Sequence, residues 1–303
     1  MSKTSLKGTS NKVALPDEIL KKVKLLEIST RKLVNNQFAG EYHTMFKGQG
    51  MTFSDFREYV PGDDVRTISW ALTARTGKTY IKKFDEEREL TVILAVDVSG
   101  SSDFGTGEYF KGEAMTHLAA LIAFSAIKNK DQVGLLLFSD QIEHFVPPAK
   151  GRGHVHRMLR DLFYFNPKSR RTRLATGLDY LQGVLKKRSA IFVISDFLDE
   201  NFDQSLRLLG RKHDVAALVV QDGAESELPD MGVIELQDAE TGELLTVDTS
   251  SESFRRNYKI ELARRKELRD KLLKASQVSR VELNSSQNYV DPLIQFFKTR
   301  KRK

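Results

Sequence analysis

Between Leu90 and Asp222 the chain alternates almost unbroken apolar runs with amphipathic stretches. The runs "LTVILAVD" (90–97), "QVGLLLFSD" (132–140), "AIFVISD" (190–196) and "DVAALVVQD" (214–222) predict buried strands. The segments between and after them predict helices over 112–130, 153–165, 174–188 and 203–213. In the third of these, Leu174, Leu178, Leu181 and Leu185 make one stripe, as a helix packed on a sheet requires. Apolar strands alternating with helices specify a mostly parallel sheet covered on both faces. Each strand closes on an aspartate (Asp97, Asp140, Asp196, Asp222), and open parallel sheets bind ligands beyond the carboxyl ends of their strands.

Downstream, 233–248 predicts a two-strand ribbon turning at "AETGE". A charged helix is expected from Glu252 to about residue 275, with Phe254, Tyr258, Leu262, Leu268 and Leu272 inward. "SRVELN" reads as one more strand and "YVDPLIQFF" as a short terminal helix docked by its aromatics. Upstream, Pro16 opens a helix to about Leu33 with Ile19, Val23, Leu26 and Leu33 on one face. Residues 40–89 change to short polar and aromatic pieces around the turn Pro61-Gly62-Asp63-Asp64, with Phe46, Phe53, Phe56, Tyr59, Trp70 and Phe84 as scattered anchors. The resulting division is a disordered 1–15, a helix and small β-containing accessory subdomain over 16–88, an α/β domain with a helical extension over 89–297, and a basic tail over 298–303.

Composition narrows the chemistry. Cysteine is absent from the 303 residues, which excludes disulfides, thiolate metal sites and cysteine nucleophiles. No run reaches the roughly 18 apolar residues of a membrane helix, and "MSKTSLKGTSNK" lacks a signal peptide's apolar stretch, so a cytoplasmic protein without a membrane anchor is expected. The net charge of +7 gathers partly in the terminal "KTRKRK", read as a solvated end ahead of a nucleic-acid contact.

The candidate site begins at "AVDVSGSSD". A strand delivers Asp97 to the sheet edge, and Ser99 and Ser101 follow at a spacing of two, with Gly100 between them to turn the backbone. Three converging oxygens of this kind suit Mg²⁺ or Mn²⁺. Ordinary turn and cap chemistry is the competing reading of the same residues. Thr172, before a helix, and Asp196, at the end of another strand, can reach the same edge. Other motifs are lures. "TGKT" (76–79) has Leu72 where a phosphate loop needs its first Gly. His154 and His156 point to different helix faces and read as solvated or capping. "VDVSGSS" has no nucleophile elbow. Asp63, Asp64, Glu86 and Glu87 read as caps and partners of Arg66, Arg75 or Arg88.

Asp97, Ser99, Ser101, Thr172 and Asp196 resemble the metal-ion-dependent adhesion site of von Willebrand factor A domains. The stretch from "FREYVPGDDVRTISW" through "AVDVSGSSDFG", with "VGLLLFSD", "FVISDF" and "LRLLGRKHDV" after it, resembles the bacterial family called domain of unknown function fifty-eight. The resemblance implies an A-like doubly wound sheet with a small N-terminal β-containing subdomain. It implies Mg²⁺ or Mn²⁺ held by Asp97, Ser99, Ser101 and Thr172, with Asp196 holding a water. It also implies a non-enzymatic, metal-dependent protein-binding role beside a MoxR-type AAA+ ATPase in assembly, maturation or chaperone-like remodelling, with no specific nucleic acid. The alternatives are a metal-dependent hydrolase acting on phosphoesters or nucleic acid, or a basic nucleic-acid-binding module. One departure from A domains is local: Arg170, Arg171 and Arg173 surround Thr172 where a Gly-rich approach is common.

Overall fold

In the computed structural model, which describes residues 42, 51–86, 90–103, 111–222, 230–238, 240 and 242–300, the apolar runs lie side by side in a six-stranded sheet. In chain order the elements are β1 (Met51–Glu58), α1 (Trp70–Thr76), β2 (Tyr80–Glu86), β3 (Thr91–Asp97), α2 (Lys111–Lys128), β4 (Gln132–Phe138), β5 (Ile142–Ala149), α3 (Arg152–Phe163), α4 (Leu174–Val184), β6 (Ala190–Ser195), α5 (Asp203–Lys212), β7 (Asp214–Gln221), β8 (Val233–Gln237), β9 (Leu244–Asp248), α6 (Glu252–Ser276), β10 (Ser279–Asn284) and α7 (Val290–Arg300).

The sheet runs β10-β7-β6-β3-β4-β5, parallel throughout except for the antiparallel β5 at one edge. Successive residues of β3 serve two different cores because side chains alternate across a strand. Val92, Leu94 and Val96 pack with α2, α3 and α7, while Ile93 and Ala95 pack with α4, α5 and Leu273 of α6. This is the doubly wound, A-like architecture expected from the sequence. Tyr42 joins the first core, buried, with its hydroxyl donating to Asp131 Oδ2 at 3.1 Å and its ring edge-on to Phe297.

β1 and β2 form a separate antiparallel hairpin with one irregularity between Phe53 and Asp55. Trp70, between its strands, is 70% exposed, so it is no anchor, and among the described side chains of this hairpin the buried apolar one is Ile81. Asp63 pairs with Arg57 at 2.7 Å, not with the arginines expected, whereas Asp64 pairs with Arg66 and caps the 3-10 turn Val65–Thr67. Gly77 of "TGKT" ends α1 with φ 71° and Lys78 pairs with Glu58, which accounts for that motif structurally.

Several expectations change. β5, "IEHFVPPA", is a strand that the hydrophobic pattern does not predict. It pairs with β4 through a register irregularity where Pro147 and Pro148 stand, the position in a sheet that tolerates proline. On α6, Leu268 is exposed, and the buried residues are Arg269, Leu273 and Ser276. His154 and His156 are half-buried, not solvated: His154 Nε2 lies 2.8 Å from Val133 O, and His156 packs edge-on against Phe124. The expected segment 1–15, the helix from Pro16 to about Leu33, Phe46 and the last three residues lie outside the described residues. No helix among the described residues is long and apolar enough to cross a membrane.

Candidate functional site

β3 and β6 are parallel neighbours, with Val96 opposite Ile194. The chain leaves β3 for α2 on one face of the sheet and leaves β6 for α5 on the other. Connections that part in this way open a crevice between two strand ends. Asp97 closes β3 and Asp196 follows β6, so the two carboxylates flank that crevice.

Asp97 is 2% exposed. Its Oδ1 accepts from Ser99 N at 3.0 Å and its Oδ2 from Ser195 Oγ at 2.7 Å. The chain then tightens into the 3-10 turn Gly100–Asp103, and Ser99 Oγ and Ser101 Oγ meet at 3.2 Å. Ser102 turns back, donating through Oγ to Ser99 O at 2.7 Å, so the pair that converges is Ser99 and Ser101. Burial, and next the negative charge of Asp196, push the Asp97 carboxyl up to about 6 against the hydrogen bonds from Ser99 and Ser195. At neutral pH the group is a buried anion held by neutral donors.

Asp196 is held differently. Lys111, the first residue of α2, is fully buried and donates from Nζ to Asp196 Oδ2 at 3.0 Å, while Leu198 N donates to Oδ1 at 3.1 Å. A lysine opening a helix runs against the helix dipole, and the carboxylate partner offsets that cost. α2 approaches the serine turn closely at Gly112, where a Cβ would stand 3.1 Å from Ser102 O.

The third wall is the loop before α4. Gly100 N donates to Arg170 O at 2.8 Å, joining this loop to the serine turn. Glu143 accepts from Lys168 N and Ser169 N at 3.1 Å, and from Ser139 Oγ at 2.8 Å. Asp199 Oδ2 accepts from Leu174 N at 2.7 Å, satisfying a free donor at the start of α4. Thr172 sits between these fastenings, half-buried, and its Oγ1 donates to Glu240 Oε1 at 2.5 Å. Arg170, Arg171 and Arg173 are exposed around it.

The fold thus gathers Asp97, Ser99 and Ser101 and ties the Thr172 loop to them through the backbone. It engages Asp196 with an ammonium and Thr172 with a carboxylate. Lys111, Ser195, Glu143, Asp199 and Glu240 escaped sequence reasoning. Among the described residues no group of three or more His, Cys, Asp or Glu side chains is placed to hold a metal. A cation here would therefore depend on hydroxyls as well as carboxylate, a hard-oxygen donor set. The buried, raised Asp97 fits such a guest, because a cation would stabilise the charge that burial opposes.

Comparison with known proteins identifies the family of the chain. The family model described as "Protein of unknown function DUF58" matches residues 55–268. The uncharacterized protein Rv1480 of Mycobacterium tuberculosis is 35% identical over 73% of this chain and 70% of its own length, and Mb1516 of Mycobacterium bovis matches equally. Among solved structures, an aerotolerance-related membrane protein from Bacteroides fragilis aligns with TM-score 0.48 and 14% identity, covering 69% of this chain and 99% of that one. BatB from Bacteroides thetaiotaomicron aligns with TM-score 0.46 and 14% identity over 71% of this chain and 100% of that one. Likenesses this distant transfer no function.

Proposed function

The chain belongs to the DUF58 family, and we propose that it is a non-enzymatic protein-binding module whose docking site is a divalent cation held by Asp97, Ser99 and Ser101. The observation that carries this reading is the meeting of the Ser99 and Ser101 hydroxyls beside a buried carboxylate at the strand-switch crevice. Thr172 lies on the loop that Gly100 N ties to the serine turn through Arg170 O, and Asp196 is balanced by Lys111. Mg²⁺ or Mn²⁺ would supply Lewis acidity toward oxygen ligands.

Charge balance favours docking. With Lys111 neutralising Asp196, the group Asp97, Asp196 and Lys111 carries one net negative charge at neutral pH. A divalent cation would turn this group net positive, a charge that a carboxylate can meet. The exposed Arg170, Arg171 and Arg173 favour the same ligand. Catalysis would need a nucleophile and a base in contact. Three histidines have partners away from the crevice: His117 meets Tyr289, His154 meets Val133 O, and His213 accepts from Ser189 N.

The partner proposed is a MoxR-type AAA+ ATPase, the kind of protein beside which members of the resembled family are often encoded, and the shared task would be assembly or remodelling of other proteins. The test is capture of that ATPase in Mg²⁺ and in chelator. Capture that is strong in Mg²⁺, lost in chelator and lost for Asp97→Asn is expected. Equal capture in both buffers would remove the cation from the reading.

A further inference from the structure

The ribbon β8–β9 is an odd element for a buried-core protein. Val233 is 69% exposed, Leu244 and Leu245 are each 62% exposed, and Val247 is the ribbon's buried apolar side chain among those described. Its foot is pinned: Thr249 Oγ1 donates to Gly232 O at 2.6 Å and accepts from Met231 N at 2.8 Å, and Ser250 Oγ donates to Asp230 Oδ1 at 2.7 Å. Its tip is self-bonded. Asp238 N donates to Glu243 O and Gly242 N to Asp238 O, each at 2.9 Å, and Glu240 N donates to Asp238 Oδ1 at 2.9 Å. From this tip the Glu240 side chain reaches 68 positions back along the sequence to Thr172 Oγ1.

We propose that Glu240 is a built-in occupant of the docking position: the ribbon tip lays a carboxylate on Thr172, where an acidic side chain of a partner would be received, and a partner must displace it. The inference rests on the reading of the site as a carboxylate-accepting, cation-assisted position. Three features point the same way. The contact is a hydroxyl–carboxylate hydrogen bond of the charge-assisted kind. The receiving loop is flanked by Arg170, Arg171 and Arg173, which suit a carboxylate and no cationic side chain. The apolar side chains Val233, Leu244 and Leu245 of the ribbon are already exposed, so moving the tip off Thr172 need not uncover them.

Two measurements on the full chain test this. Hydrogen–deuterium exchange without metal reads the contact itself. Glu240→Ala should speed exchange of residues 168–173, whereas Glu240→Gln, which still accepts from Thr172, should leave it near wild type. Unchanged exchange in Glu240→Ala overturns the proposal. Calorimetric titration with Mn²⁺ alone reads the carboxylate's place at the site. Glu240→Ala and Glu240→Gln should both bind about tenfold more weakly than wild type, and Asp97→Asn should not bind. Wild-type affinity in both Glu240 variants, with binding lost in Asp97→Asn, overturns the in-chain occupant and keeps the cation site. Wild-type affinity in Asp97→Asn overturns the cation site, and the exchange result then decides the ribbon contact without it.

Discussion

Lys111 Nζ donates to Asp196 Oδ2 at 3.0 Å with both side chains buried, which makes the first residue of α2 the counter-ion of the strand-switch crevice. A buried pair of this kind is a weak net stabiliser, but breaking it from one side strands the other charge. Lys111→Met should lower stability by about 3–5 kcal/mol in urea unfolding. Adding Asp196→Asn should restore most of that loss. A Lys111→Met chain as stable as wild type would mean that Asp196 is already solvated.

Asp97→Asn should behave in the opposite sense. The folded carboxyl is raised from 3.8 to about 6, so the fold prefers its protonated form, and at neutral pH the charge costs stability. The isosteric amide keeps an acceptor for Ser99 N or Ser195 Oγ. Calorimetric melting in chelator should therefore be equal to or above wild type, while any rise of the melting temperature with Mg²⁺ should vanish. A metal-dependent rise that survives in Asp97→Asn would exclude Asp97 as a ligand.

Glu143 gives a pH-dependent expectation for the loop carrying Thr172. Partial burial works against its ionisation, but hydrogen bonds from Ser139, Lys168 N, Gln141 and Ser169 N prevail and hold the carboxyl below its usual 4.5. A depressed carboxyl stabilises the fold above its unfolded value and loses that contribution as pH falls through the folded one. The amides of Lys168 and Ser169 should stay protected at neutral pH and lose protection only in acid, as pH falls through the lowered carboxyl. Glu143→Gln should show the low-pH behaviour already at pH 7, and NMR exchange at those two amides measures it.

Asp199→Ala removes the acceptor for Leu174 N at the start of α4. The expected cost is about 1 kcal/mol, the usual size of a lost helix-start acceptor. Because α4 begins two residues after Thr172, divalent affinity should fall with it, while Asp199→Asn should retain both. Chemical denaturation and Mn²⁺ titration of the same samples separate the two effects.

How far the sequence revealed these features depends on distance along the chain. β3, β4, β6 and β7 were readable because strands buried on both faces are written as plain apolar runs. β5 was not, since a half-exposed edge strand with Glu143, His144, Pro147 and Pro148 looks like a loop until β4 is beside it. The inward face of α6 was misjudged at Leu268 because a buried arginine, Arg269, paired with Asp270 and Glu282, is invisible to apolar periodicity. In the site, Asp97, Ser99 and Ser101 were legible as neighbours within five residues. Lys111–Asp196 and Thr172–Glu240 span 85 and 68 positions, and only the strand order and the ribbon bring them together.

The prolines of β5 have a consequence for how this protein behaves in a crowd. An open sheet has two margins, each a row of backbone donors and acceptors on which another chain's strand can grow into an aggregate. One margin here is β5, where Pro147 and Pro148 lack the amide hydrogens such growth needs and fall at a break in register. The other is β10, where Arg280 and Glu282 are exposed and tied to Asp270 and Lys266. Both margins therefore resist lengthening by a foreign strand, and side chains at the strand ends are left to decide what this sheet recruits.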